Sequence, residues 1–239
     1  MCTYQIARWC AHMSVISAKI LIVDTLQLLV FSVVFFLAAG TVSWFYGWLF
    51  LILFYGYSFW VLLWMLRHNP GLIEERTSGF KYNQPTWDKV VYVILLVVFS
   101  IWWVSIPLDA VRFHLSQMPT WLHLVGLLVL LSSFYLMFLS IRENPYLSSV
   151  VRIQEDRGQT VISTGPYRYV RHPLYTSVLL LSLGSALLLG SWIGVLLGIL
   201  LEGIIAGRAV GEERVLRKGL KGYDAYMAQV RWRLIPHVW

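Results

Sequence analysis

Residues 154–175 read QEDRGQTVISTGPYRYVRHPLY, a polar stretch with apolar segments on both sides. Its end predicts a helix boundary, because proline has a fixed φ and no N–H and therefore suits the first turn of a helix. Pro173 thus predicts a helix with His172 near the N-cap and Tyr175 in the first turn. The unpaired N–H groups of that turn and the positive end of the helix dipole form a site for an anion such as a carboxylate.

The composition around this stretch is that of a membrane protein. Of the 239 residues, 58% are hydrophobic and 13% are charged, and the mean hydropathy is +0.67. These values exclude an ordinary soluble domain and predict an all-α integral membrane protein. The two cysteines, Cys2 and Cys10, are too few for a disulfide framework, and no Cys or His spacing predicts a metal site.

About six transmembrane helices are predicted from the apolar segments. The apolar run at 176–210 is too long for one helix across a ~30 Å hydrocarbon core, so we divide it at Gly190-Ser191 into a short helical hairpin. Residues 212–239 are patterned as an amphipathic C-terminal helix. We expect two regions, a four-helix membrane region at 1–141 and a region at 142–239 that contains the polar loop, the hairpin and the C-terminal helix. The first four spans are predicted at 18–39, 44–66, 90–109 and 121–141.

The basic residues predict the orientation. With both termini in the cytoplasm, every Lys and Arg except Arg112 lies on the inner side, as the positive-inside rule requires. This pattern explains the net charge of +7 without nucleic acid, and the basic face is suited to anionic lipid headgroups. The sequence does not distinguish a bacterial inner membrane from the endoplasmic reticulum.

A second polar cluster follows the hairpin, in the sequence GRAVGEERVLRKGLKGYDAY. Arg208 and Glu212 are four residues apart and share a helix face at the inner edge of the membrane. The hairpin would bring them near His172, although an ordinary surface ion pair is an alternative. Glu202, within the last span, is expected to line a route to the site or to pair with a neighbouring span.

Together, the RHPLY sequence at 171–175, the apolar hairpin and the Arg208-x3-Glu212-Glu213-x2-Leu216 pattern resemble the isoprenylcysteine carboxyl methyltransferase type of integral membrane methyltransferase. The resemblance covers 154–226, about a third of the chain. It implies S-adenosyl-L-methionine as the methyl donor. It also implies that Glu212 contacts the donor and that Arg208 handles the methyl acceptor. The other donor-binding residues that it implies are Gln154, Gln159, Thr160, Val161, Ile162, Tyr167, His172, Pro173, Leu174 and Tyr175.

The residue types suit methyl transfer. A helix N-terminus with His172 suits the carboxylate of the donor, Glu212 suits its ammonium or sulfonium charge, and tyrosine rings can pack on it. A carboxylate acceptor needs only an orienting cation such as Arg208, whereas a thiol or amine must lose a proton, for which Glu213 or His172 is the candidate base.

We therefore predict a methyltransferase that acts on a lipophilic or small acceptor, with isoprenylcysteine carboxyl O-methylation as the first expectation. Small-thiol S-methylation and phospholipid N-methylation are alternatives within the enzyme class. From other classes, an NADPH-dependent membrane reductase of similar fold and a non-catalytic lipid-binding membrane protein remain open. The sequence does not predict an oligomeric state.

Overall fold

The computed structural model describes residues 22–23, 25–77 and 79–239. The expectations for Cys2, Cys10 and the beginning of the first span lie outside the described residues. The described chain is all-helical, which confirms the predicted fold class. Its helices are α1 (Thr25–Ala39), α2 (Phe45–His68), α3 (Pro70–Thr77), α4 (Thr86–Pro107), α5 (Thr120–Glu143), α6 (Pro173–Leu189), α7 (Trp192–Gly219) and α8 (Tyr223–Gln229).

Within the described residues, four helices are long and apolar enough to cross a membrane: α2, α5, α7, and α4 extended by the π-helical turn Leu108–Arg112. Helices α1 and α6 are apolar but shorter. At 1.5 Å per residue, the 17 residues of α6 span ~26 Å. The long apolar run divides where the sequence predicted it, because Gly190 adopts a left-handed conformation with φ of 83°. The hydroxyl of Ser191 then accepts a hydrogen bond from the backbone N–H of Gly194 and begins α7.

Helices α5 and α6 pack closely because a glycine of each helix lies against the backbone of the other helix. A Cβ atom on Gly126 would lie 2.3 Å from the backbone nitrogen of Leu188, and one on Gly184 would lie 2.6 Å from that of Leu130. Such distances are far below van der Waals contact, so larger residues would force the helices apart. This packing holds the start of α6 in a fixed position relative to α5.

On the side of the membrane away from the polar loop, a buried carboxylate fixes the start of α7. Asp109 accepts hydrogen bonds from the hydroxyls of Ser116 and Ser191 and from the backbone N–H of Ile193. Negative charge at a helix N-terminus is favourable. Further along α7, Glu202 accepts a hydrogen bond from Ser182 of α6, at 3.2 Å. Of the two expectations for Glu202, the structure therefore shows pairing with a neighbouring span.

Two polar segments differ from the sequence-based boundaries. The loop after α2 contains helix α3, which Asn69 begins by accepting a hydrogen bond from the N–H of Leu72. The predicted single C-terminal helix is two helices, because α7 continues to Gly219 and Gly222 then turns the chain with φ of 87°. In α8, Tyr223 and Tyr226 are buried, so this short helix packs one face against the protein.

Candidate active site

A cavity opens between the loop at 144–171, the start of α6, the end of α7 and helix α8. It brings together ten of the eleven residues that the resemblance assigned to the donor. Pro173 is the exception, since it is buried at the first position of α6 and does not line the cavity. The ten residues are Gln154, Gln159, Thr160, Val161, Ile162, Tyr167, His172, Leu174, Tyr175 and Glu212.

Glutamine side chains fix the shape of the loop that forms one wall. The amide nitrogen of Gln154 donates to the carbonyl of Tyr146 at 2.6 Å, and its amide oxygen accepts from Arg157 at 2.7 Å. The amide oxygen of Gln159 accepts from the N–H of Gln154 at 2.8 Å. Because these side chains form hydrogen bonds within the loop, they hold the backbone at 159–162 against the cavity.

Tyr167 connects the loop to the helices on either side. Its carbonyl accepts from the hydroxyl of Tyr226 at 2.7 Å, and its own hydroxyl accepts from Asn144 at 3.2 Å. Burial raises the pKa of Tyr167, so its hydroxyl is neutral at physiological pH. The ring is thus a fixed, neutral wall of the cavity.

His172 and its neighbours are fixed by the C-terminal tail. The backbone N–H groups of Arg171 and His172 donate to the carbonyls of Trp232 and Arg233, each at 2.9 Å. Glu213 accepts from Arg171 Nε at 2.6 Å and from Arg233 Nε at 2.8 Å, and its Oε1 lies 3.2 Å from His172 Nε2. The Glu213 carboxylate therefore bridges the RHPLY sequence to the tail.

Tyr175 lies where the two predicted clusters meet. Its hydroxyl donates to Glu212 Oε2 at 2.7 Å, and the guanidinium carbon of Arg208 lies 5.9 Å from the centre of its ring. The side chain of Glu212 is 26% exposed. The hairpin of α6 and α7 thus brings Arg208 and Glu212 beside the RHPLY sequence, as the spacing suggested.

Arg208 is buried and bound to two other elements. Its Nε donates to Asp88 Oδ1 and its Nη2 to the carbonyl of Ser149, both at 2.8 Å. Asp88 is fully buried and also accepts from Gln84 and from the N–H of Val151. Arg208 therefore joins α4, the polar loop and α7.

Arg208 also lines a second space, a groove of about 740 Å³ between α4 and α7. Its apolar lining includes Trp87, Val91, Ile204 and Val210, and Arg214 and Lys218 extend it toward the end of α7. A groove with apolar walls and a basic end matches the chemistry of a lipid with an anionic headgroup. Arg208 thus lies between this groove and Tyr175.

The two other residues predicted to be catalytic, Arg208 and Glu213, lie outside the lining of the cavity. Arg208 is bound to the carboxylate of Asp88, and Glu213 is bound to the guanidinium groups of Arg171 and Arg233. Each side chain therefore holds parts of the fold together and does not face the cavity. Sequence reasoning missed Asp88, which looks like a solvated residue before a span, and Asn144 and Tyr226, which carry no motif. Arg171 belongs to the RHPLY sequence, but no role is predicted for it.

A family model described as phospholipid methyltransferase matches residues 121–221. The match indicates that this chain is a methyltransferase. The matched residues run from α5 to the end of α7, and they include the loop and the hairpin that form the cavity. The match favours methyl transfer over the reductase and the non-catalytic alternatives.

Among solved structures, the methyltransferase is similar to the eukaryotic intramembrane Ras methyltransferase ICMT (isoprenylcysteine carboxyl methyltransferase) without a monobody. The TM-score is 0.47 and the sequence identity 20%, over 91% of this chain and 87% of that chain. A search of the curated proteins found no match.

The cavity residues fit the chemistry of S-adenosyl-L-methionine. A partly exposed carboxylate, Glu212, is available for the ammonium or sulfonium charge, and the aromatic ring of Tyr175 can pack on a cation. The backbone at the start of α6 faces the same cavity through Leu174 and Tyr175, which places a helix N-terminus beside it. The described residues thus offer a partner for each charged group of that donor.

Proposed function

We propose that this methyltransferase transfers a methyl group from S-adenosyl-L-methionine to a lipophilic acceptor that enters from the bilayer. The observation that supports this most directly is the position of Tyr175. One side of this residue faces the cavity and Glu212, and the other faces Arg208, which lines the apolar groove between α4 and α7. A donor in the cavity and an acceptor in the groove would meet at this point.

The donor supplies an activated methyl group on a sulfonium, and the protein residues position it. Glu212 would hold the positive part of the donor, while His172 and the start of α6 would hold its carboxylate. The loop at 159–162 would cover it and exclude water. Because methyl transfer is an in-line displacement, orientation and exclusion of water can supply much of the rate acceleration.

The region at 142–239 would thus carry the donor site, and the helices at 1–141 would contribute Asp88 and one wall of the groove. We propose that the cavity and both termini face the cytoplasm. The basic residues are predicted on the same side of the membrane as the polar loop, and the positive-inside rule assigns that side to the cytoplasm. Glu213 is less suited to act as a base, since it already accepts hydrogen bonds from Arg171 and Arg233. We assign it to positioning His172.

Two acceptor classes remain for the lipophilic substrate. The sequence resemblance favours the carboxyl group of an isoprenylated cysteine, and the matching family model favours the amine of a phospholipid. A carboxylate needs no base, whereas an ammonium group must lose a proton before it attacks. His172, which lines the cavity, is then the candidate base, and the start of α6 alone would hold the donor carboxylate.

The donor is tested by calorimetry on detergent-purified protein, using S-adenosyl-L-methionine, with NADPH as the control ligand. We expect saturable binding of the donor and none of NADPH. Glu212→Gln should weaken donor binding about tenfold or more, because it removes a charge that faces the donor. Glu74→Gln, on the exposed part of α3, is the matched control and should bind like the wild type. Absence of donor binding to folded wild-type protein would refute the proposal.

The acceptor is tested with donor carrying a labelled methyl group, offered with farnesylated cysteine or with phosphatidylethanolamine. Label released as methanol by mild base identifies a carboxyl ester, and base-stable label in the lipid identifies an amine. Transfer to neither, by a protein that binds the donor, would exclude both acceptor classes.

A further inference from the structure

Two glycines of α7, Gly207 and Gly211, line the groove between α4 and α7, and only one of them is covered. The six-membered ring of Trp87 lies against Gly211, so a Cβ atom there would be 2.5 Å from the ring. A Cβ atom on Gly207, one helical turn earlier, would have nothing within 4 Å. The wall of the groove is therefore closed at Gly211 and open at Gly207.

The space beside Gly207 has apolar neighbours. Val91 of α4 lines the groove from one side, and Ile204 and Val210 of α7 line it from the other. The groove has a volume of about 740 Å³, which is within the range of sites that bind small molecules. Hydrocarbon is favourable in such surroundings because it leaves water. The space beside Gly207 is thus suited to an alkyl or isoprenoid chain.

The charged residues of the groove are basic. Arg208, Arg214 and Lys218 line it, and among the described residues of its lining there is no aspartate or glutamate. Arg208 pairs with Asp88, whereas Arg214 and Lys218 form no ion pair with the described residues. Such a surface attracts a ligand with a negative charge and repels one that carries only a positive charge. The groove therefore favours an anionic amphiphile.

Arg208 offers this ligand a free hydrogen-bond donor. The side chain is only 9% exposed, and its Nε and Nη2 atoms donate to Asp88 and to the carbonyl of Ser149. Its Nη1 atom makes no hydrogen bond with the described residues. A guanidinium N–H without a partner suits an oxygen of a carboxylate or a phosphate. Because Arg208 follows Gly207 in the chain, this donor adjoins the open part of the groove.

We propose that Gly207 is a specificity-determining residue, whose missing side chain leaves room for the hydrocarbon chain of an anionic acceptor. The charged end of the acceptor then lies at Arg208, next to Tyr175, and its chain lies between Val91 and Gly207. This inference rests on the proposed function, because it concerns the acceptor side of the same site. Each methylene group that is buried in the groove should raise the affinity roughly fourfold. Long-chain acceptors are thus selected over short ones.

Photolabelling locates the chain without knowledge of the natural acceptor. The probes are a long-chain carboxylic acid, the matching alkyl phosphate and the matching alcohol, each with a diazirine in the chain, and the protein is placed in phosphatidylcholine nanodiscs. We expect saturable labelling at Val91, Ile204 or Val210 by an anionic probe, and weaker labelling by the alcohol. Labelling of Ile101, which is 53% exposed on α4, measures non-specific contact with lipid. The stronger anionic probe distinguishes a carboxylate from a phosphate.

The decisive variant is Gly207→Leu, which fills the open space with a residue that favours a helix. Gly203→Leu is the matched control, because Gly203 lies one turn away on α7, has nothing within 4 Å of a Cβ atom and does not line the groove. Gly207→Leu should lower groove labelling about tenfold or more, and Gly203→Leu should not change it. In the labelled-methyl assay, Gly207→Leu should raise KM for a long-chain acceptor and leave a short-chain analogue of the same acceptor unaffected.

Donor binding by calorimetry separates the two proposals. Reduced labelling in Gly207→Leu with normal donor binding supports the role of Gly207, and labelling equal to the wild type overturns it. Equal labelling by the alcohol and the anionic probes overturns the assignment of an anionic ligand. If Gly207→Leu misfolds and loses the donor, Val91→Phe decides in the same way, because it fills the same space from α4. A wild type that is labelled in the groove but binds no donor refutes the proposed function instead.

Discussion

The guanidinium of Arg208 in α7 donates a hydrogen bond of 2.8 Å to the carboxylate of Asp88 in α4, and Asp88 has no exposed surface. The two residues are 120 positions apart in the sequence. Their contact closes the membrane bundle at the edge of the candidate site. Because both charges are buried, neither can lose its partner without a large cost.

We expect Asp88→Asn to lower the free energy of unfolding by roughly 3–5 kcal/mol, because it leaves the buried Arg208 charge uncompensated. Thermal unfolding in detergent measures the change. Asp224→Asn is the matched control, since its partner Arg217 is 57% exposed, and exposed pairs contribute at most about 1 kcal/mol. A double Asp88→Leu/Arg208→Leu variant should be more stable than Asp88→Asn, because no buried charge is left unpaired, but it should not recover methyl transfer. An Asp88→Asn protein that melts like the wild type would contradict this account.

Tyr175→Phe removes the hydroxyl that donates to Glu212 while keeping the ring. The freed carboxylate can then leave the orientation that faces the donor, so we expect the Kd for S-adenosyl-L-methionine to rise about five- to tenfold. Calorimetry gives the value. Tyr169→Phe is a close control, because Tyr169 belongs to the same stretch and is 57% exposed. Equal affinities in the two variants would show that the hydroxyl of Tyr175 does not orient Glu212.

The spans could be predicted because their signals are local, whereas the donor-binding residues were assigned only through the resemblance to a known family. The length of the apolar segments predicted the helices, Gly190 predicted the turn of the hairpin, and Pro173 predicted the start of α6. The side-chain contact between Asp88 and Arg208 could not be predicted, because these residues come together only after several helices have packed. Glu212 and Glu213 show the same limit: adjacent residues on a helix point about 100° apart, so Glu212 faces the cavity and Glu213 faces the tail. Which of the two carboxylates faces the cavity is determined only when the C-terminal tail packs.

Acid should destabilise the protein through Glu75. Burial alone would raise its pKa, but hydrogen bonds from Arg152, Ser148 and Lys81 lower it to about 2 from an ordinary value of 4.5. The folded protein therefore favours the carboxylate, and this stabilisation is complete above pH 4.5 and is lost as the pH falls toward 2.

We expect Glu75→Gln to melt at a lower temperature than the wild type at neutral pH and to lose less stability between pH 4.5 and pH 2. Melting curves over this range test the prediction, with Glu74→Gln, which is exposed on the same helix, as the control. Parallel declines of wild type and Glu75→Gln would exclude Glu75 as a source of the acid sensitivity.

The close contact of α5 and α6 gives a packing prediction. Gly184→Ala should destabilise the protein by about 1–3 kcal/mol, since the new methyl group meets the backbone of Leu130. Gly203→Ala is the control, because a Cβ atom there has nothing within 4 Å, and alanine favours a helix by about 1 kcal/mol over glycine. Thermal unfolding of the two variants should therefore shift in opposite directions; a shift in the same direction would contradict the close packing.

Glu213→Gln should loosen the tail from the site, because the carboxylate holds both Arg171 and Arg233. Hydrogen exchange measures the result, and we expect faster exchange at the N–H groups of Arg171 and His172. The affinity for S-adenosyl-L-methionine should fall in the same variant. Unchanged exchange at both amides would mean that the backbone bonds to Trp232 and Arg233 suffice to hold the tail.

Those backbone bonds also impose an order on biosynthesis. The ribosome delivers α1 to α7 first, and the membrane can receive them while residues 230–233 are still within the translation machinery. Only after these residues emerge can the carbonyls of Trp232 and Arg233 bind Arg171 and His172, which line the cavity. A nascent chain that is already anchored in the bilayer would thus hold Arg171 and His172 in their final positions only after this late segment has folded back.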